Sequence, residues 1–99
     1  MLNITKSTEN NALIFSLEGR LDTTTAPQLE TELKNSLEGV TALTLDLEKL
    51  EYISSAGLRV LLSAQKRMGK QGEMKVAGVN EAIMEVFEVT GFSDILNIV

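Results

Sequence analysis

Apolar and polar positions alternate cleanly from Ala12 to Arg20. Leu13, Phe15 and Leu17 interleave with Ile14, Ser16 and Glu18, which predicts a strand with one greasier face. A shorter strand is expected before it, over Leu2 to Ser7, with Asn10-Asn11 in the turn because Asn tolerates positive φ. After Asp22 the period lengthens. Ala26, Leu29, Leu33 and Leu37 keep one face apolar while Glu30, Glu32 and Lys34 point away, the pattern of an amphipathic helix that Gly39 stops. Its start reads as a capping box, Thr25 with Gln28 three residues on, and Pro27 is acceptable in a first turn. Leu43, Leu45 and Leu47 then alternate with Ala42, Thr44 and Asp46 as a further strand, followed by a charged turn around Glu48 and Lys49.

Helical period resumes with Leu58, Leu61, Leu62 and Met68. A short strand is expected over Met74 to Val79, then a last helix capped by Asn80, carrying Ile83, Val86 and Phe87 and ended by Gly91. Residues Asp94 to Val99 leave room for a final strand, which would be the fifth. Helices between strands require crossovers, hence partly parallel pairing. The early strands alternate and are not continuously apolar, so only one sheet face needs cover. The expected fold class is α/β: one domain over residues 1–99, a mixed sheet of four to five strands, and helices mainly on one face.

Composition narrows the chemistry. The 99 residues are 43% hydrophobic, enough for one core, and with three Phe, one Tyr and no Trp that core must be aliphatic. A binding surface would lack the usual aromatic anchors. With no Cys there are no disulfides, thiolate metal sites or thiol nucleophiles; with no His, the commonest acid–base group near neutral pH and the commonest metal ligand are both missing. The net charge of −5 argues against a surface that tracks nucleic-acid phosphates and against a polybasic membrane patch. No apolar run approaches a membrane span and no secretory signal begins the sequence, so neither direct nucleic-acid binding nor membrane insertion is expected, and a cytoplasmic protein is.

The informative segment is Ser54-Ser55-Ala56-Gly57, between a strand and an amphipathic helix. From spacing alone a helix cap is favoured, Ser54 supplying the cap oxygen and Ser55 filling the first turn. Two features point further. Gly57 in a first turn costs ~0.5–1 kcal/mol relative to Ala, so it is expected to serve close approach by another chain. Ser55 would sit where helix amides and the positive dipole end accumulate, so its own helix would tolerate a phosphate there. A catalytic serine fares badly, having no His, no Gly-x-Ser-x-Gly elbow and no Ser-x-x-Lys starting at either serine. A phosphoacceptor needs none of these, because the kinase brings its own base and metal.

Three blocks in order resemble the STAS domain, and specifically the bacterial anti-sigma factor antagonists. They are Glu18-Gly19-Arg20-Leu21-Asp22 with Thr25-Ala26; Leu45-Asp46-Leu47 followed by Tyr52-Ile53-Ser54-Ser55-Ala56-Gly57-Leu58; and Gly72-Glu73-Met74 through Phe87 and Gly91-Phe92. The resemblance implies partner switching without catalysis, cofactor or metal. An unphosphorylated antagonist binds an anti-sigma factor that is itself a serine kinase, releasing a sigma factor; phosphorylation weakens the complex, and a PP2C-type phosphatase resets it. Matched on Gly57, the phosphorylated residue is Ser55. Ser54 stands where the family has Asp, and Arg59 where many members have a second Gly. The implied contact surface comprises Asp22, Thr23, Thr24, Ser54, Ser55, Gly57 and Arg59. The resemblance equally allows an accessory subunit of a membrane transporter, or a signalling scaffold, in which the serine is not modified.

Overall fold

The computed structural model describes residues 1–99. β1 (Leu2–Glu9) and β2 (Ala12–Leu21) form an antiparallel hairpin whose turn uses Asn10 at φ 55°. α1 (Ala26–Ser36) crosses to β3 (Ala42–Ile53), parallel to β2, and α2 (Ser55–Gln71) crosses to β4 (Glu73–Ala77), parallel to β3. The sheet order is β1-β2-β3-β4. α3 (Glu81–Thr90) and a 3-10 turn (Phe92–Asp94) follow. The mixed four-stranded sheet is the expected one. The anticipated fifth strand is reduced to a single parallel bridge between Val76 and Ile98.

The alternation decides which sheet face is covered. Leu13, Phe15 and Leu17 from β2 and Leu43, Leu45 and Leu47 from β3 are buried in one cluster with Leu29, Leu33, Leu58, Leu61, Ile83 and Phe87 from the helices. Ile14 and Glu18, on the other face of β2, stay exposed. Aliphatic area removed from water stabilises this layer at about 25 cal/mol per Å².

The expected turn at Glu48-Lys49 is instead strand. β3 runs on to Ile53 by admitting extra residues against β2: Ser16 faces Asp46 but Glu18 faces Lys49, and Gly19 faces Leu50 but Arg20 faces Tyr52. The Asp46 carboxylate accepts the Glu48 N–H at 3.0 Å and fixes the first irregularity. Each bulge resets the pleat, so Leu47, Leu50 and Ile53 all face the core although they are three residues apart. The result is a β3 that ends level with β2.

Candidate functional site

At that shared end Leu21 lies opposite Ile53, and the Ser54 N–H donates to the Leu21 carbonyl at 2.9 Å. The loop to α1 and the turn into α2 therefore leave the sheet side by side.

The loop is organised by Asp22 and Thr25. The Asp22 carboxylate accepts from the Thr24 hydroxyl (2.7 Å), the Thr24 N–H (3.0 Å) and the Thr25 N–H (3.1 Å). The Thr25 hydroxyl donates to the Arg20 carbonyl and accepts the Asp22 N–H, both at 2.8 Å. The capping box is thereby corrected: Thr25 holds the N-cap position of α1 with no side-chain cap bond, because its hydroxyl is turned back to the strand. Gln28 donates to the Leu2 carbonyl at 3.2 Å and ties α1 to β1. The Thr24 hydroxyl does most to hold the Asp22 carboxyl below its ordinary value of 3.8; partial desolvation opposes it, and the Thr25 and Thr24 amides reinforce it. Asp22 is an anion at neutral pH.

In the second loop Ser54 is the N-cap of α2, with extended backbone and its hydroxyl accepting the Gly57 N–H at 3.4 Å. Ser55 is thus released from capping and stands exposed as the first helical residue. Gly57 is buried, and a Cβ there would lie 2.7 Å from Leu21 Cγ and 3.0 Å from Ile53 Cγ1. The expectation that Gly57 admits another chain is corrected by this packing: glycine lets the first turn of α2 press on the ends of β2 and β3. It lies beneath the surface formed by its neighbours.

Thr23, Thr24 and Arg59 are exposed. Thr23, Pro27, Glu30, Ala56 and Arg59 line a shallow groove between the N-terminal parts of α1 and α2, so the two loops meet there. One feature of this end was invisible in the spacing. The Arg20 guanidinium lies 4.3 Å from the centroid of the Tyr52 ring, and its Nε is 3.9 Å from the Asp22 carboxylate. Arg20 and Tyr52 are cross-strand partners only because of the second bulge, and neither strand's alternation shows it.

An exposed hydroxyl, an anion held by its own loop and two accessible arginines lie together at this end of the sheet. The STAS domain family model matches residues 3–99, and the chain belongs to that family, which is regulatory and non-enzymatic. Among curated relatives it is 38% identical over 96 residues to BtrV of Bordetella bronchiseptica, a candidate anti-sigma factor antagonist, covering 95% of this chain and 83% of that one. It is 31% identical over 96 residues to the anti-sigma-B factor antagonist of Listeria monocytogenes, covering 94% and 83%. An anti-sigma factor antagonist from Mycobacterium paratuberculosis superimposes with a TM-score of 0.90 at 23% identity, over 99% of this chain and 85% of the other. The Bacillus cell fate determinant SpoIIAA in its phosphorylated form superimposes at 0.75 with 16% identity, over 100% and 91%. No helix is long and apolar enough to cross a membrane.

Proposed function

We propose that this chain is an anti-sigma factor antagonist that acts in the cytoplasm and is switched by phosphorylation of Ser55. The observation that carries the reading is the division of labour between two adjacent serines: Ser54 is engaged in capping α2, and Ser55 is presented to solvent. The names of its relatives, and the existence of a phosphorylated form of a protein with the same fold, support it.

Unphosphorylated, the surface of Asp22, Thr23, Thr24, Ser54, Ser55 and Arg59 docks on an anti-sigma factor serine kinase and frees the sigma factor. In the bound complex the Ser55 hydroxyl attacks the γ-phosphorus of ATP. The Oγ–P bond forms, the bond from the γ-phosphorus to the bridging oxygen breaks, ADP leaves, and the hydroxyl proton passes to a base of the kinase. The phosphate adds about −1.5 to −2 charge to a surface packed against protein, and its desolvation and repulsion weaken the complex. A PP2C-type phosphatase restores the hydroxyl by delivering water to the phosphorus and releasing inorganic phosphate.

Incubation with the cognate kinase and ATP, followed by peptide mass spectrometry, tests the acceptor. A phosphate on Ser55 is expected, and one found only outside Ser54 and Ser55 overturns the assignment. Affinity capture with wild type and Ser55→Asp tests the partner. A kinase held by the first and lost by the second is expected, whereas a transporter subunit held by both would install the accessory-subunit reading instead.

A further inference from the structure

Arg59 is exposed one helical turn after Ser55 and takes part in none of the ion pairs of the molecule, which join Lys6 to Glu32, Arg20 to Asp22 and Lys75 to Glu73. It shares the α1–α2 groove with Glu30 yet forms no ion pair with it. Ser55 and Arg59 both lie in the regular helix α2, at positions i and i+4.

We propose that Arg59 is the intramolecular partner of a phosphate on Ser55, an inference that rests on Ser55 being the modified residue. Side chains four apart on a helix are neighbours, with Cβ atoms ~5–6 Å apart, and the order anion before cation is the favourable one. The guanidinium fork matches phosphate oxygens with two parallel N–H donors. Three other charged groups bear on the pair: Glu30, across the groove, competes for Arg59; Asp22, in the neighbouring loop, repels the phosphate; and Arg20, at the end of β2, is engaged by the Tyr52 ring and the Asp22 carboxylate. Neither carboxylate can replace Arg59 as a donor.

The pair gives the modification a second consequence. Before phosphorylation Arg59 is a free cation on the docking surface, open to a partner's carboxylate. Afterwards it is turned onto the phosphate and withdrawn from that partner. One covalent event both adds an anion and removes a cation from the same few residues.

The test is the second ionisation of phosphoserine at position 55, introduced during synthesis by genetic code expansion and followed by phosphorus NMR against pH in the full chain. Near 20 mM salt, the wild-type value is expected to lie below that of Arg59→Gln by about 0.3, with Arg59→Lys recovering much of the difference and Glu30→Gln enlarging it. The difference is expected to vanish near ~1 M salt, where the screening length is ~3 Å. Equal values for wild type, Arg59→Gln and Arg59→Lys overturn the pairing. Because no kinase is used, that failure is distinct from failure of Ser55 to be phosphorylated by its partner, which would overturn the functional reading instead.

Discussion

The Ser54 N–H donates to the Leu21 carbonyl at 2.9 Å, and this bond sets the first turn of α2 level with the loop that begins at Asp22. Leu21 is completely buried, and its side chain fills the space under Gly57. The placement of Ser55 at the surface is therefore a packing result: the helix can start only where Leu21 and Ile53 allow its first turn to sit.

Replacing Gly57 by Ala tests that result. The added methyl meets Leu21 and Ile53 closer than Cβ atoms ordinarily approach, and overpacking of this kind costs ~1–3 kcal/mol, against a helix-propensity gain of ~0.5–1 kcal/mol. Gly69 is the control, since it lies within α2 with open space where its Cβ would go. Urea denaturation should show Gly57→Ala less stable than wild type and Gly69→Ala more stable by ~0.5–1 kcal/mol.

Asp22 carries a pH signature. Its carboxyl is held below 3.8 in the folded chain, chiefly by the Thr24 hydroxyl. A carboxylate with a depressed folded pKa favours the native state fully above the unfolded value, and that contribution is lost as pH falls through the folded value. Carboxyl NMR titration should place the Asp22 midpoint below 3.8 in wild type and higher in Thr24→Val. Urea midpoints measured from pH 5 downward should fall less steeply in Asp22→Asn. Equal Asp22 midpoints in wild type and Thr24→Val would remove the hydroxyl as the cause.

How much of this was readable in advance depended on how local each cause is. Leu13, Phe15 and Leu17 announce their strand because alternation is a nearest-neighbour property, and Ser54 announces its cap because the N–H that its hydroxyl accepts is only three residues away. β3 hid its length, since bulges space Leu47, Leu50 and Ile53 by three and leave Glu48-Lys49 looking like a turn. The capping box misled for the opposite reason. Thr25 and Gln28 have the right spacing, but the Arg20 carbonyl and the Leu2 carbonyl, the second 26 residues distant, offer partners that no local pattern contains. The helical cost of Gly57 is legible in the sequence, and only the fold shows that Leu21 and Ile53 are what require it.

Thr25 is the test of the loop that carries Asp22. Its hydroxyl is buried with its residue only 8% exposed, and it satisfies the Arg20 carbonyl and the Asp22 N–H together. Thr25→Val keeps the shape and leaves both backbone groups without that partner, a loss of ~1–3 kcal/mol. Thr25→Ser keeps the hydroxyl and should recover most of the stability by urea denaturation. Equal loss in the two variants would mean that the methyl group, and not the bonds, holds the loop.

The two adjacent serines allow charge and position to be separated. Ser54 has the extended backbone of an N-cap, where Asp is as welcome as Ser, and a carboxylate there would face the Gly57 N–H and the positive end of α2. Ser54→Asp should therefore raise thermal stability slightly, by ~0.3–1 kcal/mol, while its charge stays engaged with the helix. Ser55→Asp places the same charge one residue on, where the side chain is exposed and uncommitted to the cap. Calorimetric titration against the kinase should find Ser54→Asp close to wild type and Ser55→Asp weakened by at least tenfold, which corresponds to ~1.4 kcal/mol. If both variants lose affinity equally, any negative charge at this end of the sheet disrupts docking, and the special role of Ser55 as the switch is lost.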